Sequence, residues 1–119
     1  MMRIIRATVA LCLAFAVCPA LADTSCVSDA FIRERTAAAE MPLHLMTVKD
    51  NPGEIARAIE FYNSQPGDTV SEVDSLFVID LPDGGFYMAF VAGGQSCYGA
   101  RVRANAAMSV RRAIFGTAL

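Results

Sequence analysis

Apolar and polar positions recur along this chain in two different rhythms. Between residues 51 and 67, Ile55, Ala58, Ile59 and Tyr62 fall at the three-and-four spacing of one helical face, while Glu54, Arg57, Glu60 and Asn63 occupy the opposite side. The flanks fit that reading. Asn51 is a capping residue, Pro52 suits the first helical position because its missing N–H would have no partner there, and Glu54 can bond back to the cap. Gln65, Pro66 and Gly67 end the helix, which is expected to run to about Ser64.

After residue 75 the rhythm changes to short apolar runs separated by turn residues. Residues 76–81 and 86–92 read as strands joined by Pro82, Asp83, Gly84 and Gly85, and residues 97–103 return as a third strand after Gly93 and Gly94. The middle strand is apolar on both sides, with Phe86, Met88 and Phe90 opposite Tyr87, Ala89 and Val91. Such a sheet is either covered on both faces, or covered on one and used as an interface on the other. Residues 43–48 form an earlier strand with Pro42 at its entrance, and this strand, the helix after it and the next strand make a βαβ-like unit if the strands pair in parallel. A first helix is expected over residues 28–40, with Val27, Phe31 and Ala38 on one side. A last helix is expected over 105–115, with Ala107, Met108, Arg111, Ile114 and Phe115 on adjacent turns. The expectation is a single small α+β domain in the order α-β-α-β-β-β-α, built on a mainly antiparallel sheet of three to four strands.

The start of the chain belongs to a different category. Arg3 and Arg6 precede an uncharged, mostly apolar run, and Ala20, Leu21 and Ala22 present small residues at a cleavage position, so residues 1–22 read as a cleaved signal peptide and 23–119 as the domain. The uncharged span is interrupted by Pro19 and falls short of the roughly 20 residues that cross a bilayer, so no membrane span is expected after cleavage. The destination is the periplasm or the extracellular space. Cleavage removes Cys12 and Cys18 and leaves Cys26 and Cys97, which should form one disulfide in an oxidising compartment.

Charge adds one candidate site. From residue 23 onward there are 12 acidic and 8 basic side chains, yet all the acids lie before residue 101 and the last 19 residues hold Arg101, Arg103, Arg111 and Arg112 alone. Clustered guanidinium groups would suit a carboxylate or phosphate partner; equally, acids from residues 68–83 could neutralise them across the fold. The acidic balance disfavours nucleic acid.

The remaining chemistry is sparse. His44 is the sole histidine, without a companion that would make a metal site or a recognisable base, and it is expected to be dispensable. Asp68, Glu72 and Asp74 lack the spacing of a calcium loop. No nucleophile elbow, P-loop or dinucleotide fingerprint is present, and no cofactor or metal is expected. The function expected from sequence is therefore non-catalytic: an exported binding domain, such as an inhibitor or an accessory subunit of an envelope complex. Its partner would be another exported protein, met through an apolar sheet face or the arginines, or a second copy in a homodimer. The alternative is a small secreted hydrolase or transferase, which would need a pocket joining His44 or an acid pair to a nucleophile.

Overall fold

The computed structural model describes residues 26–117 and Leu119, so the expected signal segment lies outside the described residues. The elements are β1 (Val27–Ser28), α1 (Asp29–Ala38), β2 (Leu43–Thr47), α2 (Pro52–Asn63), β3 (Ser75–Asp80), β4 (Phe86–Ala92), β5 (Gln95–Val102) and α3 (Ala104–Phe115). The fold is α+β, and its sheet has five strands rather than three to four, in the order β1-β5-β4-β3-β2. The additional strand, β1, is two residues long, too short to show any period in the sequence. It is defined by pairing, with Val27 opposite Ser96 and Ser28 opposite Gln95.

Every neighbouring pair is antiparallel, and this corrects the βαβ-like expectation: β2 and β3 pair antiparallel, from Leu43 opposite Ile79 to Thr47 opposite Ser75. The reason lies in the return from α2. Residues 64–74 bring the chain back to the end of the sheet from which it left, and Val48 donates its amide to the Asp74 carbonyl (3.0 Å). The Asn63 side chain holds that return in place, donating to the Val70 carbonyl and accepting from the Val70 amide, both at 2.8 Å, which lets Val70 be buried. Both polar groups of an internal backbone position are thereby satisfied.

The sheet is covered on both faces. On one face, Met46, Leu76, Val78, Phe86, Met88, Phe90 and Val102 pack against Ile55 and Ala58 of α2 and Ala107, Ile114 and Phe115 of α3. On the other, Phe77, Ile79, Ala89 and Val91 pack against Ile32 of α1. Strand alternation produces this division, with residues 76, 78, 86, 88 and 90 on one side and 77, 79, 89 and 91 on the other. Two details of the helix expectations are corrected. In α1 the buried residues are Ile32 and Thr36, while Phe31 is 40% exposed; in α3, Met108 is 72% exposed. Thr36 is tolerated inside because its hydroxyl donates to the carbonyls of Ile32 (2.9 Å) and Arg33 (3.0 Å). Asn51 makes no side-chain cap bond; α2 starts with Pro52 in its first turn, as the missing proline N–H allows.

The disulfide between Cys26 and Cys97 is present. Its placement depends on a bulge in β5. Phe90 faces Tyr98 and Val91 faces Ser96, so Cys97 is the extra residue, and the local kink turns it toward Cys26 beside β1. The β4–β5 hairpin closes on Gly93 and Gly94, whose φ values of 63° and 76° match a two-residue turn with both central residues left-handed.

Candidate interaction surface

The four candidate arginines divide between the two sides of the sheet. Arg101 stands opposite Tyr87 in the β4–β5 register, on the face that α1 covers, and its Nη2 donates to Asp83 Oδ2 at 2.6 Å. Asp83 sits in the β3–β4 turn and also accepts from the Gly85 amide (2.9 Å); that amide bond first, and Arg101 second, hold its carboxyl below the usual range. Arg111 lies on α3, over the opposite face, with Nη2 donating to Asp80 Oδ1 (2.9 Å) and its guanidinium 4.6 Å from the Phe86 ring centroid. Arg103 and Arg112 are exposed and carry no ion pair among the described residues. Arg112 belongs to the last turn of α3, where a cation opposes the negative end of the helix dipole. Two of the four guanidinium groups are thus committed to acids of their own chain.

His44 has a partner that the sequence did not reveal. Its Nε2 lies 3.1 Å from Asp80 Oδ2, so Asp80 bridges β2 to α3 by holding His44 with one oxygen and Arg111 with the other. Partial burial pushes the Asp80 carboxyl up, but the hydrogen bonds from His44 and Arg111 outweigh this and set it below the usual carboxylate value. The residues are far apart in sequence, and the antiparallel return of β3 brings them together. Its signal in the sequence is slight: Asp80 is the one charge inside an otherwise apolar run.

The backbone of the two sheet edges distinguishes them further. In the β2–β3 pair, Asp80 N donates to Pro42 O (3.0 Å) and Val48 N to Asp74 O, which makes the even-numbered residues of β2 the ones bonded to β3. The N–H and C=O groups of Leu43, Leu45 and Thr47 therefore point away from the sheet. The Thr47 carbonyl accepts from the amides of Asp50 (3.2 Å) and Asn51 (2.7 Å), whereas Leu43 and Leu45 have no backbone partner among the described residues. Leu45 is also 46% exposed. On the opposite edge, Leu81 N donates to Gly85 O (3.0 Å), which sets the alternation across β4 so that Tyr98, Ala100 and Val102 bond inward and Gly99 and Arg101 face outward. Pro42 beside a short strand was the sequence signal for an edge, because proline is excluded from central strands.

A shallow groove of about 310 Å³ lies between α2 and α3, lined by Arg57, Glu60, Phe61, Ser64, Ala113 and Ile114. Its polar groups serve the fold: Arg57 Nε donates to the Ile114 carbonyl (2.8 Å) at the end of α3, and the Ser64 hydroxyl donates to the Phe61 carbonyl (2.7 Å). His44 and Asp80 are not among its lining residues. Among the described residues, no three His, Cys, Asp or Glu side chains are placed to hold a metal ion, and no helix is long and apolar enough to cross a membrane. In comparisons with known proteins, no family model, curated protein or solved structure matches the chain.

Proposed function

We propose that this chain is an exported interaction domain that acts by holding another protein, in the class of an inhibitor or an accessory subunit of an envelope complex. The observation that carries this reading is the β2 edge, where the backbone groups of Leu43 and Leu45 face outward beside an exposed leucine side chain. Unpaired strand backbone with apolar side chains is what a partner strand binds: main-chain bonds supply affinity and the alternate side chains supply selectivity. Export to the periplasm or beyond the cell is supported by the Cys26–Cys97 disulfide, since such bonds persist in oxidising compartments, and by the signal-like first 22 residues.

The geometry favours binding over a hydrolase or transferase because His44 and Asp80 are engaged with Arg111 outside the groove, while the groove's Ser64 is turned to its own helix. A photoreactive phenylalanine analogue at Leu45, with the same analogue at Ser64 as the comparison, tests the reading in the cell that exports the protein. Irradiation is expected to yield a covalent adduct with a protein from position 45. Adducts from position 64 alone, or none from position 45, would overturn it.

A further inference from the structure

We propose that β1 and α1 form a strap over one face of the sheet, closed by the Cys26–Cys97 bond and released when an exported dithiol protein reduces that bond, an inference that does not depend on what binds β2. The bond is open to attack in the folded protein. Both cysteine residues are exposed and lie outside the two apolar clusters. Cys97 is the bulged residue of β5, so the pairing of β4 with β5 passes from Tyr98 to Ser96 without using it. Thiol exchange at these sulfurs therefore requires no opening of the core.

The two faces of the sheet are held unequally. Over one face, α2 and α3 bury Ile55, Ala58, Ala107, Ile114 and Phe115, and they are tied further by Arg57 to the Ile114 carbonyl and by Arg111 to Asp80. Over the other, the buried residues of α1 are Ile32 and Thr36, and the Thr36 hydroxyl is spent on carbonyls of its own helix. Arg33 adds a guanidinium 5.0 Å from the Phe77 ring centroid. The leading end of the strap is fixed by the two-residue β1, by the Asp29 amide on the Gly94 carbonyl (3.0 Å) and by the disulfide. Helices shorter than about 12–15 residues are marginal in water by themselves, and α1 has 10. Without its covalent anchor α1 leaves the sheet and melts, and water reaches Phe77, Ile79, Ala89 and Val91 beneath it. The remaining elements, β2 to β5 with α2 and α3, keep their own pairing and their own apolar cluster.

The opening reaction is a two-step exchange. A thiolate of the reductant attacks the Cys26 sulfur to form a mixed disulfide, and Cys97 leaves with the electron pair and takes up a proton. The reductant's second thiol then displaces Cys26, which is protonated in turn, and the reductant departs as its own disulfide. Two electrons pass from the dithiol to Cys26 and Cys97.

Hydrogen exchange of the full chain, oxidised and then treated with dithiothreitol in the absence of denaturant, tests the strap. Alkylation should find both thiols free, amides of residues 33–38 should exchange at least about 100-fold faster than in the oxidised protein, those of β3, β4 and α2 should stay protected, and reoxidation should restore α1. Alkylation in acid-quenched samples of the exporting cells should also find a share of the chain with Cys26 and Cys97 reduced. A bond that dithiothreitol opens only once denaturant is added, α1 amides indifferent to reduction, or a chain wholly oxidised in the cell would each overturn the proposal. So would loss of protection in β3, β4 and α2 together with α1, because the bond would then staple the whole fold.

Discussion

The two edges of the sheet are finished in different ways. At β5 a bulge, a two-residue strand and a disulfide close one end, and Arg101, paired to Asp83, stands along the rest. At β2 the strand is simply short, entered through Pro42 and apolar along its outward face. A kink, a covering strand and a charge blunt the β5 edge, while β2 has a short strand and an entering proline. The contrast is between an edge closed covalently at one end and one whose Leu43 and Leu45 backbone groups face outward without a partner among the described residues.

The largest expected effect comes from removing the covalent closure. Replacing Cys26 and Cys97 together by serine releases a 71-residue separation and should lower unfolding stability by about 4 kcal/mol, read from urea transitions of the oxidised and mutant proteins. It should also free β1 and expose more of β5, so the mutant should associate less selectively than the parent. Gly99→Ala attacks the same edge from its face, because a Cβ there would collide with the Tyr87 ring and hydroxyl. A cost of about 2 kcal/mol is expected, in the range of overpacked sites, and Tyr87→Phe in the Gly99→Ala background should recover part of it if the hydroxyl is the obstacle.

Changes beside β2 should be smaller. Asp80→Asn weakens the hold of β2 on α3 and should cost about 1 kcal/mol at neutral pH, since the carboxylate is partly exposed and screened. The pH dependence has a definite sign. With its folded value lowered, Asp80 contributes stability above its unfolded pKa of about 3.9, and that contribution disappears as pH falls through the lower folded value. The difference between parent and Asp80→Asn should therefore shrink as pH falls through the lowered folded value and vanish in strong acid. The smallest effect is a gain. Glu40 ends α1 at φ 56°, with its amide donating to Ala37 O and the Met41 amide to Thr36 O, an arrangement that suits glycine. Glu40→Gly should raise stability by about 0.5 kcal/mol in thermal denaturation while removing one charge that flanks the open edge.

The elements with a repeating pattern were legible from sequence. The face of α2 was readable because four apolar residues repeat at helical spacing, and β4 because seven residues are apolar between two glycine turns. The disulfide was legible because reading residues 1–22 as a leader leaves Cys26 and Cys97 as the one pair. What sequence could not supply was pairing. Nothing local distinguishes a return after α2 that runs parallel from one that runs antiparallel; Asn63 and the 64–74 segment decide it through contacts that exist only once the chain is folded. The same holds for the Asp80 bridge, which joins residues 36 and 31 positions away, and for the open edge, which follows from the register of β2 on β3. Arg111 shows the limit of periodicity: it falls among the apolar positions of α3, where its guanidinium lies over Phe86 and pairs with Asp80.

Amide hydrogen exchange at Leu43 and Leu45 tests the central claim, that β2 is the edge at which this protein binds, most directly. Dilute protein should exchange both amides rapidly, because their N–H groups face outward, while those of Met46 and His44, bonded into β3, exchange slowly. Adding the protein captured at position 45 should protect the Leu43 and Leu45 amides and leave Gly99 and Arg101 on the β5 edge unchanged. Leu43 and Leu45 amides that exchange as slowly as those of His44 and Met46 in the protein alone, or protection that appears at Gly99 and Arg101 instead, would contradict it.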